Sequence, residues 1–464
     1  MKKIISFILI FALTITSCIF YGCTDNQDSE VTANELLTEK YDMFTELISS
    51  SSNNADIAKY LISWASENNI NASYDKYSNV IMSSKATVGY EEVPSTIFHC
   101  TIDTDNVTQT AVAMSIATHI ISSSENHGFM RVLLTSSENG IDNVDLGYLT
   151  ADNFISLDWN IENSILVGSA GNKYYTIEKD LQWTTPSYNQ AYKISIHGLK
   201  EADMNDTGNF PNPITIIGHL LASAKSNGIP IEIADFDGGI SADTYPSSVY
   251  CTILINQKDV KAFKERFKEA KEDFDEEYGE IEDDYVFSFN EVPVPNEVIS
   301  FEESSQIISF LYTCPDGNHV KDDRGEIIAK SNIGRITTEQ DNLEILLCAS
   351  SKTNDLLAEM QIEFDIICGL CDITYTYTLG DPVWENDSDM PLITELEKAI
   401  DKISTRESSR NRVFELTSCA AAKKRVADMN IVGFGVTHEK MTEQSEILML
   451  YLENSNLVDE AINI

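Results

Sequence analysis

The run Ser95-Thr96-Ile97-Phe98-His99-Cys100-Thr101-Ile102-Asp103 brings an imidazole, a thiol, hydroxyls and a carboxylate into one β-branched and aromatic stretch entered after Pro94. Such a run reads as a buried strand ending in polar groups. In an open α/β sheet, ligands bind at that carboxyl end. His99 and Asp103 share a strand face but stand about 13 Å apart, whereas a His-x-Asp pair would be about 7 Å apart. This spacing makes His99 a core or interface histidine. His119 and His127 fall on or just after a helical stretch and are expected to be exposed. Cys368-Gly369-Leu370-Cys371 is a lone CxxC, and a zinc site would need a second ligand pair at suitable spacing. It lies in an apolar, strand-like run over Ile362–Tyr377, which suits two core thiols or a local disulfide. The sequence has no G-x-S-x-G nucleophile signature and no glycine-rich phosphate loop.

The elements that would hold these residues alternate in type. Two amphipathic helices fill residues 31–70, with Leu37, Phe44 and Leu47 and then Ile57, Leu61 and Trp64 at helical spacing, and Asn54 caps the second. Tyr74–Ser83 reads as a strand, Gln109–Ser122 as a helix and Met130–Thr135 as a strand. Pro213–Ser226 reads as a helix, and Lys258–Asp284 as a charged helix whose acidic tail forms a solvated face. Helices are expected near Leu392–Lys402 and Asn411–Met429, and a last amphipathic helix over Glu446–Ile464.

The order of these segments resembles the M20 zinc peptidases, most closely their aminoacyl-histidine dipeptidase (PepD) branch. The likeness is carried by the strand ending in Thr101-Ile102-Asp103, by Val112-Ala113-Met114, by Ser137-Glu138-Asn139-Gly140, by Phe154-Ile155-Ser156-Leu157-Asp158 and by Val167-Gly168-Ser169-Ala170-Gly171. Later anchors are Ala191–Lys200, Phe236-Asp237-Gly238-Gly239, Ser331-Asn332-Ile333-Gly334 and Gly380-Asp381-Pro382-Val383-Trp384. The resemblance implies an α/β fold: a zinc-peptidase-like α/β/α catalytic domain over 35–171 and 383–464, interrupted by an α+β lid and dimerisation-type domain over 172–382. It also implies two zinc ions, and here the residues depart from the pattern. Asp103 matches the family's ring-orienting Asp, but the zinc-binding His beside it is Thr101. Val107 stands at the bridging Asp. Glu138 matches either the catalytic base or a zinc ligand, depending on the alignment, and the other carboxylate of that pair is absent. Asp158 retains a ligand position. The segment Leu416–Ala422 carries no His where the family has its last one, and the lid's substrate-reaching His is missing from Glu201–Asn205. Asp103, Glu138 and Asp158 are therefore expected to be remnants of a catalytic and metal site, with no cofactor bound. The resulting expectation is a degenerate dipeptidase-like protein that binds a peptide or protein partner. The alternative is an active zinc dipeptidase with a rearranged metal site.

At 464 residues the chain is long enough for two or three domains, and its apolar content of 42% is ordinary. Its net charge of −42 argues against nucleic acid or anionic lipid as a partner, because like charge repels phosphate. Lys2, Lys3 and the short apolar run Ile4–Ile15 read as a secretory signal over residues 1–22. Cys23 and, as the alternative, Cys18 follow small residues as in a bacterial lipobox, with 23–34 as a polar tether. A lipid-anchored, extracytoplasmic protein is expected, with a homodimer through the lid. The other seven cysteines are too sparse for a disulfide scaffold.

Overall fold

The computed structural model describes residues 32–136, 140–206, 208–415 and 417–454. The signal segment, Cys18, Cys23, Glu138 and residues 455–464 lie outside the described residues. Among the described residues no helix is long and apolar enough to cross a membrane.

The chain enters through the helices Ala33–Ser50 and Asn54–Glu67. Thr32 and Glu35 form a reciprocal capping box on the first, so the helix begins two residues inside the stretch expected to be tether. The second is capped by Asn53, one residue before the expected Asn54, through its side chain to the Asp56 amide. The strand expected over Tyr74–Ser83 is instead two, Asn71–Tyr74 and Val80–Ser84, paired antiparallel. Asp75 breaks it: its carboxylate accepts from the backbone amides of Tyr77 and Asn79, each at 2.9 Å, and folds the chain back.

These strands begin a nine-stranded sheet. Its order is Asn71–Tyr74, Val80–Ser84, Met130–Ser136, Thr96–Ile102, Asn153–Ser156, Asn430–Phe434, Ser164–Ser169 and Trp384–Glu385, and Ser409–Val413 also pairs with Ser164–Ser169. Thr96–Ile102 runs parallel to both of its neighbours, so three carboxyl ends meet at one rim. The helix Val107–Ser123 packs under Ala33–Ser50 and Met441–Asn454 and is apolar on nearly every side. That cover corrects the expected exposure of the histidines. His119 is buried, and burial, aided by the nearby Lys40, pushes its imidazole down to about 4. His127 is also buried and donates from Nδ1 to the Gly128 carbonyl at 2.7 Å. The helix expected over Asn411–Met429 is a strand, Ser409–Val413, followed by the short helix Ser418–Arg425. The parallel partner Ser164–Ser169 offers that segment a ladder, which outweighs its weak helical pattern.

Gly171–Asp180 leaves this sheet for a second nine-stranded one, antiparallel at every pairing. Its path runs from Val286–Val292 at one edge, through Ala191–His197, Ser248–Ile255, Ile231–Gly239, Ile327–Thr338, Asn342–Ser351 and Gly171–Asp180, to Thr374–Leu379 at the other. The helices Val260–Tyr278, Pro213–Ser226, Phe301–Thr313 and Asn354–Cys371 stand in a row against it. Cys368 and Cys371 thus lie on a helix and not in a strand-like run, as buried free thiols one turn apart. Ile362, Ile366 and Leu370 of that helix recur every four residues and are exposed, a helical period hidden within an apolar run. The two chain crossings lie side by side. The Asn172 amide donates to Asp381 O at 3.0 Å, and Gly380 N donates to Asn172 O at 3.1 Å. A Cβ on Gly171 would meet the Pro382 carbonyl carbon at 2.8 Å, so only glycine permits this approach.

Candidate functional site: a carboxylate enclosed by hydroxyls

The rim where the three parallel strands end opens into a cavity of about 360 Å³. Thr101, Asp103, Ser156, Asp158, Trp159 and Ser418 are among its walls. Asp158 follows the strand Asn153–Ser156, and Leu157 N donates to His99 O at 2.8 Å, setting the carboxylate beside the Thr96–Ile102 strand. One Asp158 oxygen accepts from the Thr101 amide at 2.7 Å. The other accepts from Thr101 Oγ1 at 2.9 Å and from Ser418 Oγ at 2.6 Å. His99 Nδ1 stands 3.4 Å from that same oxygen. Burial alone would raise the Asp158 pKa; the His99 imidazole and the Ser418 and Thr101 donors outweigh it and hold the group down to about 2.

His99 is fully buried, as the sequence indicated, but it lies in the wall of the site. Its Nε2 is 2.8 Å from Thr135 Oγ1, and its ring stacks on Phe154 with centroids 5.3 Å apart. Thr101 is two residues further on the same strand face, so both side chains reach Asp158. Ser418 comes from the other end of the chain, at the start of the helix Ser418–Arg425 that Thr417 caps. Ser156 Oγ lies 3.0 Å from Ser418 Oγ.

Asp103 lines the same cavity but orients no ring: its carboxylate accepts from the Asp105 amide at 2.9 Å and closes its own turn. Val107 is packed against the hydrophobic core. Gln109 extends its amide to the carbonyls of Leu157, Trp159 and Val436. Glu138 and Leu416 lie outside the described residues.

These donors do not fit a zinc pair. Zinc takes thiolate, imidazole and carboxylate ligands, and each needs a free lone pair aimed at the ion. Both oxygens of Asp158 face N–H or O–H donors, and the neighbouring side chains Thr101 and Ser418 offer neutral hydroxyls. Among the described residues no three His, Cys, Asp or Glu side chains gather in a metal-binding group.

One cavity wall, carrying Val413, Glu415 and Thr417, is tied to the second domain through Phe414. Lys330 Nζ lies 4.1 Å and Lys352 Nζ 4.9 Å from the centroid of the Phe414 ring. Both lysines are buried, and burial lowers their pKa values, that of Lys330 to about 8. Lys330 also donates to the Met204 carbonyl.

The architecture is the mixed α/β fold of the M20 peptidase structures, with a catalytic-type and a lid-type domain. The aminoacylhistidine dipeptidase of Vibrio alginolyticus superposes with a TM-score of 0.73 at 20% identity, over 92% of this chain and 98% of that one. Aminopeptidase PepT of Bacillus cereus superposes at 0.51 with 13% identity, over 90% of this chain and 98% of that one. In sequence, the chain is 20% identical over 442 residues to the cytosol non-specific dipeptidase of Escherichia coli K12, spanning 86% of this chain and 91% of that protein. No protein-family model matches the sequence.

Proposed function

We propose that the protein keeps the dipeptidase architecture without two-zinc hydrolysis and uses the old cleft to hold a peptide or protein ligand. The supporting observation is that both Asp158 oxygens already accept from the Thr101 and Ser418 donors, where a metal would need lone pairs and anionic or imidazole partners. Elemental analysis and zinc calorimetry on protein lacking residues 1–23, with dipeptide hydrolysis assayed in parallel, test this reading. The expected result is neither micromolar zinc binding nor turnover. One or two zinc ions per chain together with dipeptide cleavage would replace it with the rearranged zinc dipeptidase.

The reading extends to location and assembly. A lipid on Cys23, or on Cys18, would hold the protein at the outer face of a bacterial membrane; palmitate labelling lost in Cys23→Ala but not in Cys18→Ala would identify the first. The lid would pair two copies through the edge strand Thr374–Leu379 and the exposed Ile362, Ile366 and Leu370. Light scattering on Leu370→Asp should then report a monomer where the parent chain is a dimer.

A further inference from the structure

A second cavity is separate from the cleft. It lies in the lid, between the helices Pro213–Ser226 and Val260–Tyr278 and the turn after Phe301–Thr313, encloses about 840 Å³ and shares no lining residue with the cleft. That volume is within the range of small-molecule sites. Five aromatic rings from four segments line it: Phe210, Tyr245, Phe274 and Tyr278 of one helix, and Tyr312. Phe210 and Tyr245 pair at 5.6 Å between centroids, Phe274 and Tyr278 at 5.2 Å, and Tyr312 meets His219 at 5.4 Å. Lysines lie over Tyr250 and Tyr285 elsewhere in the lid, yet among the described residues no lysine or arginine covers any of these five rings.

The charge of the walls is mostly negative, with Glu269, Asp273, Glu277 and Asp316 against Arg266. Asp273 and Glu277 are exposed at the mouth, and Asp316 lies deeper, where it accepts from Asn212, Thr215 and the Ile333 amide. The single arginine there, Arg266, is already bonded to Glu269 at 2.7 Å and to Asn227 at 3.2 Å. Burial lowers the pKa of both lining histidines, His219 and His319, which favours their neutral forms. Phe274 and Tyr245 are buried and packed on other rings, while Tyr312 is exposed. Ring faces attract cations through their quadrupoles, and nearby carboxylates supply the counter-charge. Arg266, the positive charge in this lining, is offset by its ion pair with Glu269.

We propose that the lid cavity is a binding site for an organic ammonium ion, held by the rings that line it and against the carboxylates at the mouth. The site is independent of the cleft, so it stands whether or not the cleft is hydrolytic. Binding to the full chain can be measured by calorimetry with choline and with its neutral isostere 3,3-dimethylbutan-1-ol. Choline is expected to bind saturably and about tenfold or more tighter than the alcohol, a factor within the reach of a few cation–ring contacts. The exposed positions allow variants that spare the core. Tyr312→Ala should weaken both compounds, and the double variant Asp273→Asn with Glu277→Gln should weaken choline alone. A competing N-acetyl-lysine amide would show that a peptide side chain can supply the ammonium; without competition the site is reserved for small quaternary ions. Equal affinity for choline and the alcohol, or no saturable choline binding below about 10 mM, overturns the proposal.

Discussion

At the residue scale, Asp158 controls the cleft through what surrounds it. Its folded-state pKa of about 2 lies below the ordinary 3.8, so its charge contributes stability that is complete above about pH 4 and is lost as pH falls toward 2. The side chain is 30% exposed, which trims the contribution to roughly 1–2 kcal/mol. Urea denaturation of Asp158→Asn against the parent should show that gap at pH 6 and see it shrink near pH 3. Ser418→Ala removes a charge-assisted donor and should cost about 1–3 kcal/mol in the same assay at neutral pH. The sequence made Asp158 legible and left Thr101 and Ser418 as mere substitutions. Thr101 could have been paired with His99 from their shared strand face. Ser418 could not, because 260 residues separate it from Asp158 and only the fold joins them.

At the scale of elements, the alternation of strands and helices was legible where an unbroken β-branched run or a helical period marked it, as in Thr96–Ile102 and Pro213–Ser226. Errors fell where partners overrode pattern. Ser409–Val413 became a strand because Ser164–Ser169 accepts it, and Asp75 cut one expected strand in two. The Gly-Gly turn at Gly238-Gly239 was legible as a motif, while its reason was not. Gly239 has φ +76°, and Gly334 faces the Ser241 carbonyl so closely that a Cβ would run into it. Gly334→Ala must therefore push the Ser241-Ala242 turn away from the strand Ile327–Thr338, at a cost of about 2 kcal/mol or more. A lowered thermal midpoint with cleft ligand binding retained would locate that damage in the lid.

Across the whole molecule, an α/β fold with a catalytic-type and a lid-type domain was legible, but the contact between them was not. Phe414 and its two lysines join strands that the sequence places more than sixty positions apart. Phe414→Leu keeps the apolar volume and removes the ring that faces both buried cations. Calorimetric unfolding of this variant should separate into two transitions where the parent shows one, with the earlier transition sensitive to pH near 8 as Lys330 titrates. The strand order of the first sheet also carries a consequence in time. Asn430–Phe434 lies between Asn153–Ser156 and Ser164–Ser169, so the middle of that sheet stays vacant until the chain is almost complete. The lid, whose strands all fall between Gly171 and Leu379, meets no such delay. Synthesis would then yield a finished lid on an unfinished base, with two bare strand edges waiting for a closing strand from far along the chain. A chain stopped before Asn430 should show protease-resistant lid fragments and a digested first domain, and the complete chain should refold at a rate set by the arrival of that one strand.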